Sequence, residues 1–113
     1  MFNIDIQKNG KETVAKLSGK LDALTASQLE KDKEKLLKNT ETLILDLNSL
    51  QYISSAGLRT LLILHKSMFR QGIMIIKNPS DIIADIFEVT GFADILNSQL
   101  LMTKVTSLKT GGW

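Results

Sequence analysis

A chain of 113 residues with 14 basic and 12 acidic side chains is long enough for one hydrophobic core, and its net charge of +2 is too small to track a polyanion. Its 43 % apolar and 23 % charged content is that of a folded globular domain and excludes disorder. The absence of cysteine removes disulfides, thiolate metal centres and thiol catalysis, and a single histidine leaves acid–base chemistry to carboxylates and lysines.

Phe2-Asn3-Ile4-Asp5-Ile6 alternates apolar and polar residues, as a strand with one buried face does, and Val14-Ala15-Lys16-Leu17 alternates again. Lys8-Asn9-Gly10-Lys11 between them carries an Asn-Gly turn, so the first two strands are expected to form an antiparallel hairpin. Gly19-Lys20-Leu21-Asp22-Ala23-Leu24 then turns the chain towards a helix, with Thr25 and Gln28 spaced as a capping box. Ala26, Leu29, Leu36 and Leu37 supply its apolar stripe, and Asn39 is its stop. The basic stretch from Lys31 to Lys38 is interrupted by Asp32 and Glu34, the pattern of a solvated helix face.

Leu43-Ile44-Leu45-Asp46-Leu47 follows as a short apolar strand of the kind buried in a parallel sheet. The next helix is expected to start at Ser54 or Ser55, to bury Leu58, Leu61, Leu62, His65, Met68 and Phe69, and to end before Gly72 in a left-handed cap. His65 and the methionines read as core residues. Ile73–Ile76 is another strand; Pro79 blocks its continuation, and Ser80 caps a third helix that turns Ile82, Ile83, Ile86 and Phe87 inwards and ends at Gly91. Phe92-Ala93-Asp94-Ile95-Leu96 reads as one more helical turn. The pattern from Gln99 onwards fits strand or helix, and residues 109–113 read as a loose tail. The expected architecture is one α/β domain over 1–113: a mixed sheet of four to five strands, an antiparallel hairpin followed by parallel strands, with three to four helices mainly on one face.

No apolar run approaches a membrane span, and Met1-Phe2-Asn3-Ile4-Asp5 has none of the features of a signal peptide, so the expected setting is the cytoplasm. Tyr52 and Trp113 stand alone, with no aromatic series on which bases could stack, so no nucleic-acid partner is expected. No phosphate-cradling glycine loop and no nucleophile–histidine–acid set is present, which argues against an enzyme and against a cofactor.

In α/β sheets the working surface lies beyond the carboxyl ends of the strands. Three loops are expected to converge there: Gly19–Leu24, Asp46–Ser55 and Asn78–Ser80. The second runs into a helix whose first turn holds Ser54, Ser55 and Gly57. A glycine there disfavours the helix by ~1 kcal/mol relative to alanine, which suggests a close approach to its backbone.

These residues carry a resemblance. Leu43 to Leu58, with Gly19-Lys20-Leu21-Asp22 upstream and Ile86-Phe87-Glu88-Val89-Thr90-Gly91-Phe92 downstream, resembles the STAS domain of bacterial anti-sigma factor antagonists over about residues 2 to 98. The resemblance implies a partner-switching protein, without a cofactor, that binds an anti-sigma factor which is also a GHKL-type serine kinase; a monomer is expected, with the oligomeric state left open by the sequence. That kinase phosphorylates a serine at the start of the central helix, and a PP2C-type phosphatase removes the phosphate. The family pattern Asp-Ser-(Ser/Thr)-Gly-Leu stands here as Ser54-Ser55-Ala56-Gly57-Leu58, which makes Ser55 the implied phospho-acceptor and leaves Ser54 where the family has an aspartate. Ser54 reads first as an N-cap. Asp22 matches the family's acidic residue beside the phospho-site. Asp22, Asp46, Ser54, Gly57 and Arg59 are the implied partner-binding residues, with Asp46 a second acidic contribution and Arg59 one turn beyond Ser55. A phosphoryl group would add about −1.5 to −2 charges beside the positive end of a helix dipole, taking the whole chain close to neutrality. A second reading is a STAS module that serves constitutively for interaction or sensing, beside a transporter, in a stress-signalling assembly or in lipid trafficking.

Overall fold

The structure, a computed structural model, describes residues 2–92. The further helical turn at 93–96, the segment after Gln99 and the tail at 109–113 lie outside the described residues.

Alternating Ile4 and Ile6 in β1 (Asn3–Asn9) and Thr13, Ala15 and Leu17 in β2 (Glu12–Leu21) build the antiparallel hairpin expected from the sequence. The chain reverses through Gly10-Lys11, with Gly10 at φ +63, so the glycine occupies the first central position of the turn and Asn9 is still a strand residue. β3 (Thr42–Ile53) and β4 (Ile73–Lys77) then add in parallel, giving the order β1-β2-β3-β4. The helices are α1 (Ala23–Lys31), α2 (Lys33–Leu37), α3 (Ser55–Met68) and α4 (Asp81–Val89). Each sends apolar residues into one cluster: Ala26 and Leu29, Leu36, Leu61 with Leu64 and Met68, and Ile83 with Phe87. From the sheet, the same cluster takes Ala15, Leu17, Leu43, Leu45, Leu47, Met74 and Ile76. These are the side chains of one pleat parity, so the core lies on a single face of the sheet.

Several local expectations are corrected. The first helix breaks into α1 and α2 at Asp32, whose N–H is shared between the carbonyls of Gln28 (3.3 Å) and Leu29 (3.1 Å), the tightening that ends an α-helix. Its N-cap is Asp22, with Thr25 in the third helical position, so Thr25 closes a capping box rather than opening one. β2 and β3 both run beyond Leu17 and Leu47, pairing Ser18 with Ser49 and Leu21 with Ile53. Two register shifts interrupt that extension, one beside Gly19 at φ +87, and they erase the alternation by which a strand is recognised. The segment Asn48–Tyr52 is therefore strand where its polarity suggests a turn.

The buried face of α3 is Gly57, Thr60, Leu61, Leu64, His65 and Met68; Leu58 and Leu62 are half-buried and Phe69 is exposed. Gly72 takes no left-handed φ. Its missing side chain lets Glu41 pass, since a Cβ would collide with the Glu41 carbonyl group, which accepts from Ile73 N–H at 3.0 Å. In α4, Ile83 and Phe87 are buried as expected, Ile86 is half-buried, and Ile82 faces solvent at 62 % exposure. Ser80 caps α4 through a bond from Ile83 N–H (3.3 Å), and Gly91 at φ +78 follows its end.

Candidate functional site

Because β2 and β3 are parallel and in register at Leu21 and Ile53, the next residues, Asp22 and Ser54, leave adjacent strands side by side. Each is an N-cap, Asp22 of α1 and Ser54 of α3. Two helix N-termini therefore open together at the carboxyl edge of the sheet. The seam between them is closed by Ser54 N–H, which donates to the Leu21 carbonyl at 2.9 Å.

Gly57 makes that closeness possible. A Cβ on Gly57 would lie 2.8 Å from the Leu21 carbonyl oxygen, 2.8 Å from Ile53 Cγ1 and 2.9 Å from Leu21 Cγ. The approach that the glycine signals is internal to the fold. Gly57 is buried, so its place in the expected binding set is that of a spacer which brings α3 against β2, not of a contact residue.

The two caps differ in strength. Asp22 Oδ1 accepts from Leu24 N–H (3.1 Å), Thr25 N–H (3.0 Å) and the Thr25 hydroxyl (3.0 Å), while Asp22 N–H donates to Thr25 Oγ1 (2.7 Å). Bonds from the Thr25 backbone and hydroxyl, partly offset by desolvation, hold the Asp22 carboxyl below the ordinary carboxylate range. Ser54 Oγ makes one cap bond, from Gly57 N–H at 3.2 Å. It does the capping work that an aspartate would do at that position, without the charge. Ser54 is half-buried.

Ser55 is the first residue of α3 and is exposed. It belongs to the turn whose backbone N–H groups lack intrahelical acceptors, so a phosphoryl group there would meet backbone donors and the positive end of the dipole. Arg59, four residues on, is exposed on the same face of the helix. Leu24, at 74 % exposure in the first turn of α1, and Tyr52, at 45 % just before α3, place apolar surface beside the caps. Neither was singled out as a binding residue from sequence; the signal available was an apolar residue two positions past a helix cap, where the inward stripe has not begun.

Asp46 does not join this cluster. It pairs with Lys77 at the end of β4 and lies eight residues before Ser54, the residue after β3, on the order of 25 Å away at ~3.3 Å per residue. Asp46 Oδ1 accepts from Asn48 N–H (3.0 Å) and Asn78 Nδ2 (3.4 Å), so it ties the β4–α4 loop to the sheet. The three loops expected to converge are thus split: β3 overshoots β4, taking Ser54 away from Asn78. Among the described residues no cluster of three or more histidine, cysteine or acidic side chains could hold a metal. None of the described helices is long and apolar enough to cross a membrane.

Comparison with known proteins matches residues 3–107 to the STAS domain. The chain belongs to the STAS family. Within it, this STAS domain is 34 % identical over 84 residues to BtrV of Bordetella bronchiseptica, described as a candidate anti-sigma factor antagonist, covering 73 % of this chain and 72 % of that protein. Its fold is similar to that of an anti-sigma factor antagonist from Mycobacterium paratuberculosis, with a TM-score of 0.75 at 17 % identity over 92 % of this chain and 95 % of that one. It is also similar to the Bacillus cell-fate determinant SpoIIAA in its phosphorylated form, with a TM-score of 0.65 at 21 % identity over 83 % and 86 % of the two chains. The anti-sigma factor antagonists are regulators without enzymatic activity, and their partner is an anti-sigma factor.

Proposed function

We propose that this STAS domain is an anti-sigma factor antagonist that binds an anti-sigma factor with serine-kinase activity, of the GHKL type, and is switched off by phosphorylation of Ser55. The observation that carries this reading is the division of labour between the adjacent serines: Ser54 is half-buried and engaged as the α3 cap, whereas Ser55 is exposed beside it. A kinase reaches the second hydroxyl and not the first. Asp22 and Arg59 flank the acceptor, and Leu24 and Tyr52 offer the apolar surface that a partner would cover. A phosphate there adds about −1.5 to −2 charges to a surface that must be desolvated on binding. Burying it without a cationic partner costs several kcal/mol, a large part of the roughly −8 kcal/mol of a micromolar contact. The switch is local, because the helix N-terminus holds the phosphate without refolding. A PP2C-type phosphatase restores the binding form.

The test is incubation with the cognate kinase and ATP, followed by site mapping by mass spectrometry. One phosphate on Ser55, absent from Ser55→Ala, is the expected result. A phosphate on Ser54, or none at all with an active kinase, would overturn the assignment.

A further inference from the structure

The face of the sheet opposite the core carries two ordered rows of side chains. The ladders align Asp5 with Lys16, Lys16 with Asp46, and Asp46 with Lys77, so charges alternate −, +, −, + across all four strands. The next row towards the start of β2, two residues back, aligns Val14 with Ile44 and Ile75, each half-buried on a face to which the described helices contribute nothing. The charges of the row form no ion pair with one another: the only ion pair among the described residues joins Lys11 to Glu41. Asp46 Oδ1 is engaged by Asn48 and Asn78, but no charge of the row is neutralised by an ion pair, and Asp5, Lys16 and Lys77 are exposed to something placed over the sheet.

The pattern has a symmetry property. A two-fold axis running parallel to the strands, between β2 and β3, brings a second copy face to face and reverses the row from left to right while keeping its level. Asp5 then faces the partner copy's Lys77, and Lys16 faces the partner copy's Asp46, so every one of the four positions meets its opposite charge. The same operation lays Val14 over Ile44 and Ile44 over Val14. Most sign arrangements of four charges would leave at least one like pair opposed; this one is self-complementary, the condition an isologous interface must meet. The strands of the two sheets stay near-parallel, as in aligned sheet packing, and sheet twist concentrates contact on the central pair, Lys16 and Asp46.

From this we infer that this sheet face, which none of the described helices covers, is a homodimer interface, its occupant a second copy of this chain. It lies apart from the edge that carries Ser55, so it does not depend on the phospho-switch reading. Four strands at ~4.8 Å spacing and two to three rows of side chains bury on the order of 1,000 Å² over both copies, the lower limit for specific association. The dimer is therefore weak, concentration-dependent and loosened by salt, and the chain is a monomer when dilute.

Sedimentation equilibrium of the full chain over a range of concentrations at low salt tests it. The wild type is expected to associate reversibly, and Lys16→Glu and Asp46→Lys each to weaken self-association at least about tenfold by opposing like charges. An equimolar mixture of these two variants regains association, because Glu at 16 in one faces Lys at 46 in the other. Since Asp46 also holds Asn48 and Asn78, the exchange is repeated at the outer pair with Lys77→Glu and Asp5→Lys, which spares those bonds. A wild type of constant monomeric mass, single variants that associate like the wild type, or mixtures no tighter than their components would each overturn the inference. Methyl signals of Val14, Ile44 and Ile75 that shift with concentration support it. Protection of those methyls at every dilution would assign the face to this chain's own residues after Phe92, and a change seen only with an anti-sigma factor present would assign it to that partner; either overturns the homodimer.

Discussion

The N-termini of α1 and α3 stand side by side and are built to opposite specifications. Asp22 closes α1 with a full negative charge, two backbone bonds and a reciprocal bond through Thr25. Ser54 closes α3 with one bond of 3.2 Å and no charge. The positive end of α1 is thus compensated within the chain, while that of α3 is left with a neutral cap and an exposed hydroxyl one residue on. A single helix end of either kind would be unremarkable. Their adjacency puts a fixed anion beside a place where a second, removable one can be installed.

The largest effect is expected from Gly57, which holds the two ends together. Gly57→Ala forces a Cβ against the Leu21 carbonyl and Ile53, and overpacking of this kind costs about 1–3 kcal/mol, outweighing the ~1 kcal/mol gained in helix propensity. Denaturant titration is the measurement; an unchanged or raised midpoint would mean that the helix ends are not packed as described. Next comes the contrast between the caps. Asp22→Ala should lower the thermal midpoint more than Ser54→Ala, whose loss is expected at about 0.5–1 kcal/mol, the lower part of the range for caps. Equal losses would break the comparison.

The smallest of these effects is the sharpest in form. The folded-state pKa of Asp22 lies below its unfolded value, so its contribution is complete above the unfolded carboxylate range near ~4 and is lost as pH falls through the folded value. Stability measured from neutral pH down through that window should show this loss in the wild type and in Ser54→Ala, and show less of it in Asp22→Asn. A carboxyl signal of Asp22 titrating at or above the ordinary value would contradict the cap geometry.

How much of this was legible in the sequence follows the strength of each local signal. The hairpin, the Ser80 cap and the Ser54 cap rest on residues whose preferences act within three or four positions, and the structure contains all three. The extension of β2 and β3 was not legible, because register shifts near Gly19 break the period of two and put Asn48, Ser49 and Gln51 in a strand. That hidden extension also explains the misplacement of Asp46: a β3 that ends at Leu47 puts Asp46 at the start of the loop that carries the serines. The face of α3 was ambiguous for a different reason. Leu58 and the run Leu61–Leu64 are apolar around much of the helix, and the close fit of Gly57 against Leu21 belongs to a rotation that places Thr60 and Leu64 inwards and Phe69 outwards. Asp22 was singled out for the site, but its capping role fell to Thr25 in the sequence reading because Thr25 and Gln28 have the same spacing as the true pair, Asp22 and Thr25.

The central claim, that Ser55 beside the Asp22 cap is the switch, is tested most directly by calorimetric titration of the cognate anti-sigma factor with two preparations of the chain, one unmodified and one stoichiometrically phosphorylated at Ser55. Phosphorylation is expected to weaken binding at least about a hundredfold, close to 2.7 kcal/mol, with the fold unchanged by circular dichroism. Equal affinity of the two forms would contradict it.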